Sequence, residues 1–462
     1  MMPSWKYWTN CEIVGPPRSG KSTLMLACNF THILNENRTI VVAAGKDDSF
    51  DQLVGFIQRA NPHYPVEIVN VSDGWGTGYN PFHLPKGRDL SAHVSALAAS
   101  IPKDANSFGG RFPDAEVAQS FFAHIALKHL PPSEAIPLLD FGSRKKWLTL
   151  ELPEEFRHQA RAIASTAPQN WEYRVGALRQ FIDPWVTQAA LRRMISTPKQ
   201  VQIGALYDAG TSLFLKAVPS PLLSVPAAKT LLAFFFGDLF QVAVENAGKN
   251  KAYFVSCDEF QLWAPPSAAD LLDTMLSAGF RMTLAHHHGK QKFDDHLAES
   301  LKVSCGIKVI FGGLSPEERK QFAEHYFVEE VVRDWHRQPR ITHVPVEWED
   351  EAVSSGESEG GSWTTITPRI RRDYEEKQTG WDDYDFQEKL SRLAARLAVP
   401  RFRYTVLFPD GTWHQDTTPK LRRYLHSLPQ PLKLPSDNPE RSAGHAAGTN
   451  RKKNRPTKLH GE

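Results

Sequence analysis

The stretch CEIVGPPRSGKSTLML, residues 11–26, decides the fold. A short apolar run, 11–14, is followed at once by GPPRSGKS, 15–22, a full match to the spacing GxxxxGK followed by Ser or Thr, and then by the helix-forming TLMLA. Strand, glycine-rich turn and helix start, in that order, aim backbone N–H groups and the positive end of a helix dipole at one point, which makes an anion site. Gly15 and Gly20 permit the backbone curvature, and Pro16, Pro17, Arg18 and Ser19 fill the loop between them. Lys21 neutralises outer phosphates, the Ser22 hydroxyl suits a divalent cation, and Thr23 offers a hydroxyl to the inner phosphate.

Such a site needs a carboxylate at the end of a second strand. The run AYFVSC, 252–257, leads directly into Asp258 and Glu259. Asp258 is expected to hold Mg²⁺ through water, and Glu259 to orient and polarise an attacking water. Two acids after a strand are also what a plain helix start shows; it is the phosphate loop that turns them into the second half of an ATP site. A further strand, RMTLA at 281–285, ends in His286, His287 and His288. Neighbouring residues on a strand point to opposite faces, so the three imidazoles do not readily share one ion. His287 is read instead as a contact to the γ-phosphate or the lytic water.

Working outward, β-branched runs at 39–43 and 66–71 alternate with helical segments, the pattern of parallel strands with crossovers. Between about Pro113 and Pro198 the apolar spacing turns to threes and fours, as in Ala118, Phe121, Phe122, Ile125 and Ala126, which predicts an all-helical insertion. Strand character returns at 213–218, 252–257, 281–285 and 306–311. The expected architecture is therefore α/β: a P-loop NTPase core with a mainly parallel sheet, interrupted by an all-α insertion domain and followed by a C-terminal extension. The expected divisions are 1–110 and 201–349 for the core and 111–200 for the insertion. A flexible acidic Gly/Ser linker is expected at 350–363, an α/β extension at 364–433 and a basic disordered tail at 434–462. Within the extension, 384–398 reads as a helix and YTVLFPDGTW as a hairpin turning at Asp410-Gly411.

The chain has 462 residues, 41% of them hydrophobic, which is ample for packed cores and long enough for roughly two to four domains. A net charge of +2 advertises no global nucleic-acid field, so any DNA contact has to be local. Cys11, Cys28, Cys257 and Cys305 form no CxxC pair, and are expected to be buried thiols in a reducing compartment. The most apolar window, 230–244, contains Asp238 and is shorter than the ~20 residues a span requires, so it reads as a core helix and no membrane span is expected.

Taken together, these motifs resemble the HerA/FtsK-type motors, and among them the TraG/TraD-like coupling proteins of conjugation. The resemblance covers most of 10–330. It rests on the phosphate loop, on YNPFHLP at 79–85, on QNWEYRVGALRQFIDPWV at 169–186, and on FVSCDEFQLW at 254–263 followed by LLDTMLSAGFRMTLAHHH. VSCGIKVIFGGLSPEERKQFAEHY is similar to the next strand and helix of that family. The match implies a RecA-like core, Asp258 and Glu259 as the acidic pair, Gln261 in the same motif, and His287 in the place of a terminal glutamine. It also implies ATP and Mg²⁺ as cofactors and a ring, six subunits in the family, whose pore holds the DNA backbone.

In three places the chain departs from the family pattern. His287 is one. The family's Arg-Lys pair, which supplies an arginine finger to the neighbouring subunit, is replaced by LSAGFR; Arg281 is the nearest candidate and Arg319 the alternative. Lys46, in AAGKDDS, stands near a family Asp-Pro-Lys-like segment. The family's transmembrane pair has no counterpart here, so the expected location is cytoplasmic, with recruitment to the inner membrane by an anchored secretion or conjugation partner. Two other functions share these motifs: a protein-transport or pilus-assembly ATPase, and a nucleotide-gated scaffold with little turnover.

Overall fold

The computed structural model describes residues 9–44, 47–102, 113–249, 251–262, 264, 268–287, 295–326, 341–358, 361–378, 391–408 and 412–417. Strand β1 (Cys11–Val14) leads through the phosphate loop into α1 (Lys21–Leu34), and β2 (Arg38–Ala43), α2 (Asp47–Ala60) and β3 (Val66–Asn70) continue the alternation. The short strands β4 (Trp75–Gly76) and β5 (Gly78–Tyr79) precede α3 (Leu90–Ala99), α4 (Ala115–Lys128), α5 (Pro132–Ala135), α6 (Glu154–Ala164), α7 (Pro168–Thr187) and α8 (Ala189–Ser196). Then come β6 (Gln200–Val201), α9 (Ile203–Ala209), β7 (Ser212–Lys216), α10 (Val225–Glu245), β8 (Tyr253–Cys257) and α11 (Ala268–Met275). They are followed by β9 (Phe280–His286), α12 (Asp295–Ser304), β10 (Ile307–Phe311) and α13 (Pro316–Tyr326). The hairpin strands β11 (Ile341–Ser358) and β12 (Gly361–Gln378) and the strands β13 (Arg403–Leu407) and β14 (Trp413–Thr417) end the described chain.

The main sheet has ten strands in the order β14-β13-β10-β1-β9-β8-β2-β7-β3-β4. Its seven inner strands, β10 to β3, are all parallel, with β4, β13 and β14 antiparallel at the two edges. Parallel strands need both faces covered. The largest core cluster joins one sheet face to α10 and on to the helical segment without a break. Phe82, Phe122, Phe181 and Trp185 all pack their rings around Phe234 of α10, at 5.1–5.7 Å between centroids. The helical insertion is thus rooted in the core by the aromatics of one helix.

Helix α10 runs for 21 residues, longer than the apolar window in the sequence, because Ser224 caps it and Pro226 is accommodated in its first turn. By length and composition it could cross a bilayer, yet 72% of its apolar window is buried inside the protein. Asp238, midway along it, accepts from Arg88 at 2.6 Å.

The expected linker at 350–363 is corrected. Residues 350–358 continue β11, and 361–363 begin β12, in an unbroken antiparallel register from Ile341↔Gln378 to Ser358↔Gly361. Strand-favouring residues flank it, Thr342, Val344 and Val346 before and Thr364, Thr365 and Ile366 after, and the ladder satisfies the backbone that a linker would leave to solvent. The extension is not wholly separate either: β13 pairs with β10, Phe311 opposite Tyr404, and adds the hairpin to the main sheet. Residues 391–396 are helical; 384–390, the Asp410-Gly411 turn, Lys46, His288 and the basic tail lie outside the described residues.

One polar cluster is built into the central strands. Glu12 of β1 lies opposite Lys308 of β10 in register, and its carboxylate accepts from Lys308 Nζ at 2.9 Å and meets His286 Nε2 at 2.8 Å. All three side chains are buried. Burial pushes the Glu12 carboxyl up, but Lys308 and His286 outweigh it and hold it well below the usual carboxylate range. A depressed carboxyl contributes stability that is complete above its unfolded value, about 4.3, and is lost as pH falls through the folded value. Glu12→Gln should therefore cost about 3–5 kcal/mol at pH 7, since it leaves a buried lysine without its counter-charge. Urea denaturation should show the gap between wild type and variant narrowing as the pH drops below about 4; a gap that does not change with pH would contradict this account.

Candidate nucleotide site

Because every inner strand runs the same way, their carboxyl ends open on one edge of the sheet, where open α/β sheets bind ligands. The phosphate loop leaves β1, the acidic pair leaves β8, and β9 lies between them. The residue that follows β9 is His287, so the topology itself places an imidazole between Lys21 and Glu259.

The loop is shaped by close approach. A Cβ on Gly15 would come within 2.5 Å of Phe311 Cβ, and Gly20 adopts φ 112 as it caps α1. Pro17 and Arg18 face solvent, Arg18 with φ 59, whereas Ser19 is buried. Ser19 Oγ has no hydrogen-bond partner among the described residues, a buried hydroxyl left for something the chain does not itself supply. Thr23 follows in the first turn of α1, half-buried.

Lys21 reaches Gly15 O at 2.8 Å, Pro16 O at 3.1 Å and His287 Nδ1 at 2.9 Å. An ammonium only donates, so His287 Nδ1 accepts and the ring proton belongs on Nε2. That nitrogen faces Glu259 Oε2 at 2.9 Å. Burial and the adjacent Lys21 push the His287 ring below its ordinary value, with Glu259 opposing, so the bridge is a neutral imidazole. Glu259 Oε2 also accepts from Gln261 Nε2 at 2.5 Å. Its backbone takes φ 55, an uncommon conformation for a non-glycine residue and one that recurs at functional sites.

Asp258 accepts from the Ser22 hydroxyl and from the Glu259 N–H, the latter at 3.0 Å. Burial, with Glu259 beside it, nonetheless raises its carboxyl above the ordinary value, against the hydrogen bonds and Lys21. A carboxylate so crowded fits a cation: Mg²⁺ held by Ser22 and Asp258 would supply the charge that favours ionised Asp258 and would neutralise phosphate oxygens. The Gly15–Ser22 loop, with its orphan Ser19 hydroxyl, fits the phosphates.

Arg281 is not brought to this site. It stands in the first half of β9, five residues before His286, roughly 16 Å away along an extended strand. Its guanidinium lies 5.4 Å from the Phe254 ring centroid, and Phe254 in turn stacks on His32 at 3.8 Å. It is 9% exposed, and burial lowers it to about 10. A finger offered to a neighbour has to reach the surface, which this side chain does not. Arg319, half-buried in α13, is the alternative that remains.

Sequence reasoning missed the Glu12–Lys308–His286 cluster behind the loop. His286 Nδ1 meets the His287 carbonyl at 3.0 Å, so the buried ion pair also steadies the backbone that carries His287. The signal was present: opposite charges inside two otherwise apolar runs, CEIV and GIKVIF.

No family model matches the sequence, and no curated protein does either. Solved structures do match. The unbound bacterial conjugative coupling protein TrwBdeltaN70 superposes with a TM-score of 0.52 at 14% identity, over 89% of this chain and 84% of that one. The chain has the coupling-protein fold. TrwB in complex with the non-hydrolysable ATP analogue ADPNP matches with a TM-score of 0.52 at 13% identity, over 89% and 85% of the two chains. TrwB with ADP and Mg²⁺ matches at 0.52 and 14%, over 89% and 84%. The coupling-protein fold accounts for the mixed α/β architecture and the large, mostly parallel sheet around the site.

Two outcomes are expected. In ¹⁵N spectra at pH 7, His287, assigned by its loss in His287→Gln, should show one protonated and one bare nitrogen with the proton on Nε2; an imidazolium or an Nδ1 proton would contradict the bridge. Arg281→Ala should lower the melting temperature while leaving turnover per folded molecule within about twofold of wild type. A large fall in turnover with unchanged melting would return Arg281 to the chemistry.

Proposed function

We propose that this chain is an ATP-hydrolysing motor that moves DNA, of the kind found with conjugation and type IV secretion systems, working as a ring of six. The observation that carries the reading is the line Lys21–His287–Glu259, a lysine and a carboxylate joined by one imidazole at the ends of β1, β9 and β8. The likeness in fold to TrwB, whose structures include complexes with an ATP analogue and with ADP and Mg²⁺, supports it.

In this reading Gly15 to Ser22 cradle the triphosphate, with Thr23 beside the inner phosphate. Lys21 turns from the loop carbonyls to the outer phosphates, and Ser22 and Asp258 hold Mg²⁺. Glu259 draws a proton from the attacking water. His287 passes from Lys21 to the γ-phosphate or the water as the phosphates arrive. Stabilising the charge of the transferring phosphoryl group calls for a cation from the next subunit, which makes a closed ring the active form. DNA would be held through its backbone, without sequence readout, and an anchored secretion or conjugation partner would recruit the motor to the membrane.

Lys21→Ala should lose ATP binding, and Glu259→Gln should bind ATP and fail to turn over. Turnover of the wild type should rise with single- or double-stranded DNA, and light scattering should show rings with ATP analogues or DNA. Stimulation by a protein substrate but not by DNA would favour the transport reading. Wild-type turnover in Glu259→Gln would remove that residue from the mechanism.

A further inference from the structure

Strand β8 and helix α1 meet along a line of side chains. Alternation on a strand puts Phe254, Ser256 and Asp258 on one face. At one end of the line Phe254 stacks on His32 of α1, with ring centroids 3.8 Å apart. At the other, Asp258 accepts from the Ser22 hydroxyl. Ser22, Met25, Asn29 and His32 are the matching stripe of α1, at the three- and four-residue spacing of one helix face. Ser256 lies between the two ends and lines one cavity with Met25 and Asn29.

Packing alone does not account for a serine there. It is 5% exposed, and its Oγ has no hydrogen-bond partner among the described residues. A buried hydroxyl left unpaired costs free energy that an alanine or valine would not. The polar side chains around the cavity are those of Ser22, Asn29, Ser49, Ser256 and Asp258, while β2 and α2 supply an apolar wall. About 30 Å³ is open to the centres of water-sized molecules, and one water needs about 10–15 Å³. The space is too small for a base or a sugar and suits one or two waters. A buried water is held where two to four polar groups meet it. Here a hydroxyl, a buried amide that donates and accepts, and a carboxylate share the cavity.

We infer that Ser256, with Asn29, is a positioning residue for Asp258: the two hold a water in this cavity that hydrogen-bonds the carboxylate and fixes it as a ligand for Mg²⁺. This rests on the proposed nucleotide site and adds the groups behind its cation ligands. Partners that hydrogen-bond a ligating carboxylate set its orientation, and losing one costs about 10–100-fold in metal affinity.

The test measures ADP binding by calorimetry on the full chain, in EDTA and across a Mg²⁺ titration. Wild type should bind ADP more tightly with Mg²⁺. In Ser256→Ala that gain should fall about tenfold, while ADP in EDTA binds as in wild type. Ser256→Thr keeps the hydroxyl and should keep the gain. Ser256→Val replaces hydroxyl and water by methyl groups. It should lose the gain while melting at or above the wild-type temperature, since valine suits a strand and leaves no polar atom unpaired. A role in packing alone would move melting and binding together. The inference is overturned by an undiminished Mg²⁺ gain in Ser256→Ala, by an equal loss of ADP binding in EDTA, or by a loss in Ser256→Thr as large as in Ser256→Ala. Wild type that binds ADP with no gain from Mg²⁺ has no cation site at Asp258, and the inference falls while the phosphate site stands. Wild type that binds ADP under neither condition ends the proposed function as well.

Discussion

Lys21 and Glu259 can be joined only across β9. Neighbouring strands are about 4.8 Å apart, so β1 and β8, with β9 between them, are separated by roughly 10 Å at the sheet edge. A lysine on one side and a carboxylate on the other leave a gap of about one imidazole, and the residue after β9 is the one that can fill it. His287 does so with contacts of 2.9 Å on either side. The family glutamine that the resemblance implies for this place could bridge with an amide. The imidazole does the same work with one acceptor and one donor, and its neutral state follows from the lysine on its accepting side.

The loop and the bridge are held from behind by a buried cluster. Glu12 lies two residues before Val14, the last of β1, opposite Lys308, and on His286, whose other nitrogen meets the His287 carbonyl. A buried ion pair is a weak source of net stability but costly to break, because the survivor is left charged and dry. Its effect is therefore to make alternative registers of β1, β9 and β10 expensive. Since the loop begins one residue after β1, that register also sets the position of the loop.

How much of this could be read beforehand follows from the range of each constraint. The phosphate loop is local: glycines, a lysine and a hydroxyl at fixed spacing, each needed by its own backbone or ligand, so it is legible from eight residues. Asp258, Glu259 and His287 were legible as strand-end residues, because apolar runs mark strands and parallel strands end together. Arg281 was named from the place of the family's finger arginine; here it stands in the first half of its strand, buried against Phe254, a burial that composition alone did not signal. The hairpin at 341–378 was hidden because Gly, Ser and acidic residues satisfy a linker as well as a ribbon, and only the pairing distinguishes them. The Glu12 cluster required knowing that β10 neighbours β1, a fact of topology rather than composition.

In the proposed reaction the contacts of Lys21 and Glu259 have to be exchanged for those of the nucleotide. Lys21 donates to Gly15 O, Pro16 O and His287 Nδ1, and Glu259 accepts from His287 and Gln261. On that proposal, a phosphate that drew Lys21 away would also take the hydrogen bond that His287 Nδ1 accepts, and the ring would lose one of the groups that fix it. The hold on Glu259 would weaken as a result. In the proposed reaction ligand binding and release of the carboxylate would be linked through a single side chain, and the linkage would need no movement of the sheet. It does need the backbone of His287 to stay where it is while the ring exchanges partners, which is the service that His286, Glu12 and Lys308 provide from the buried side.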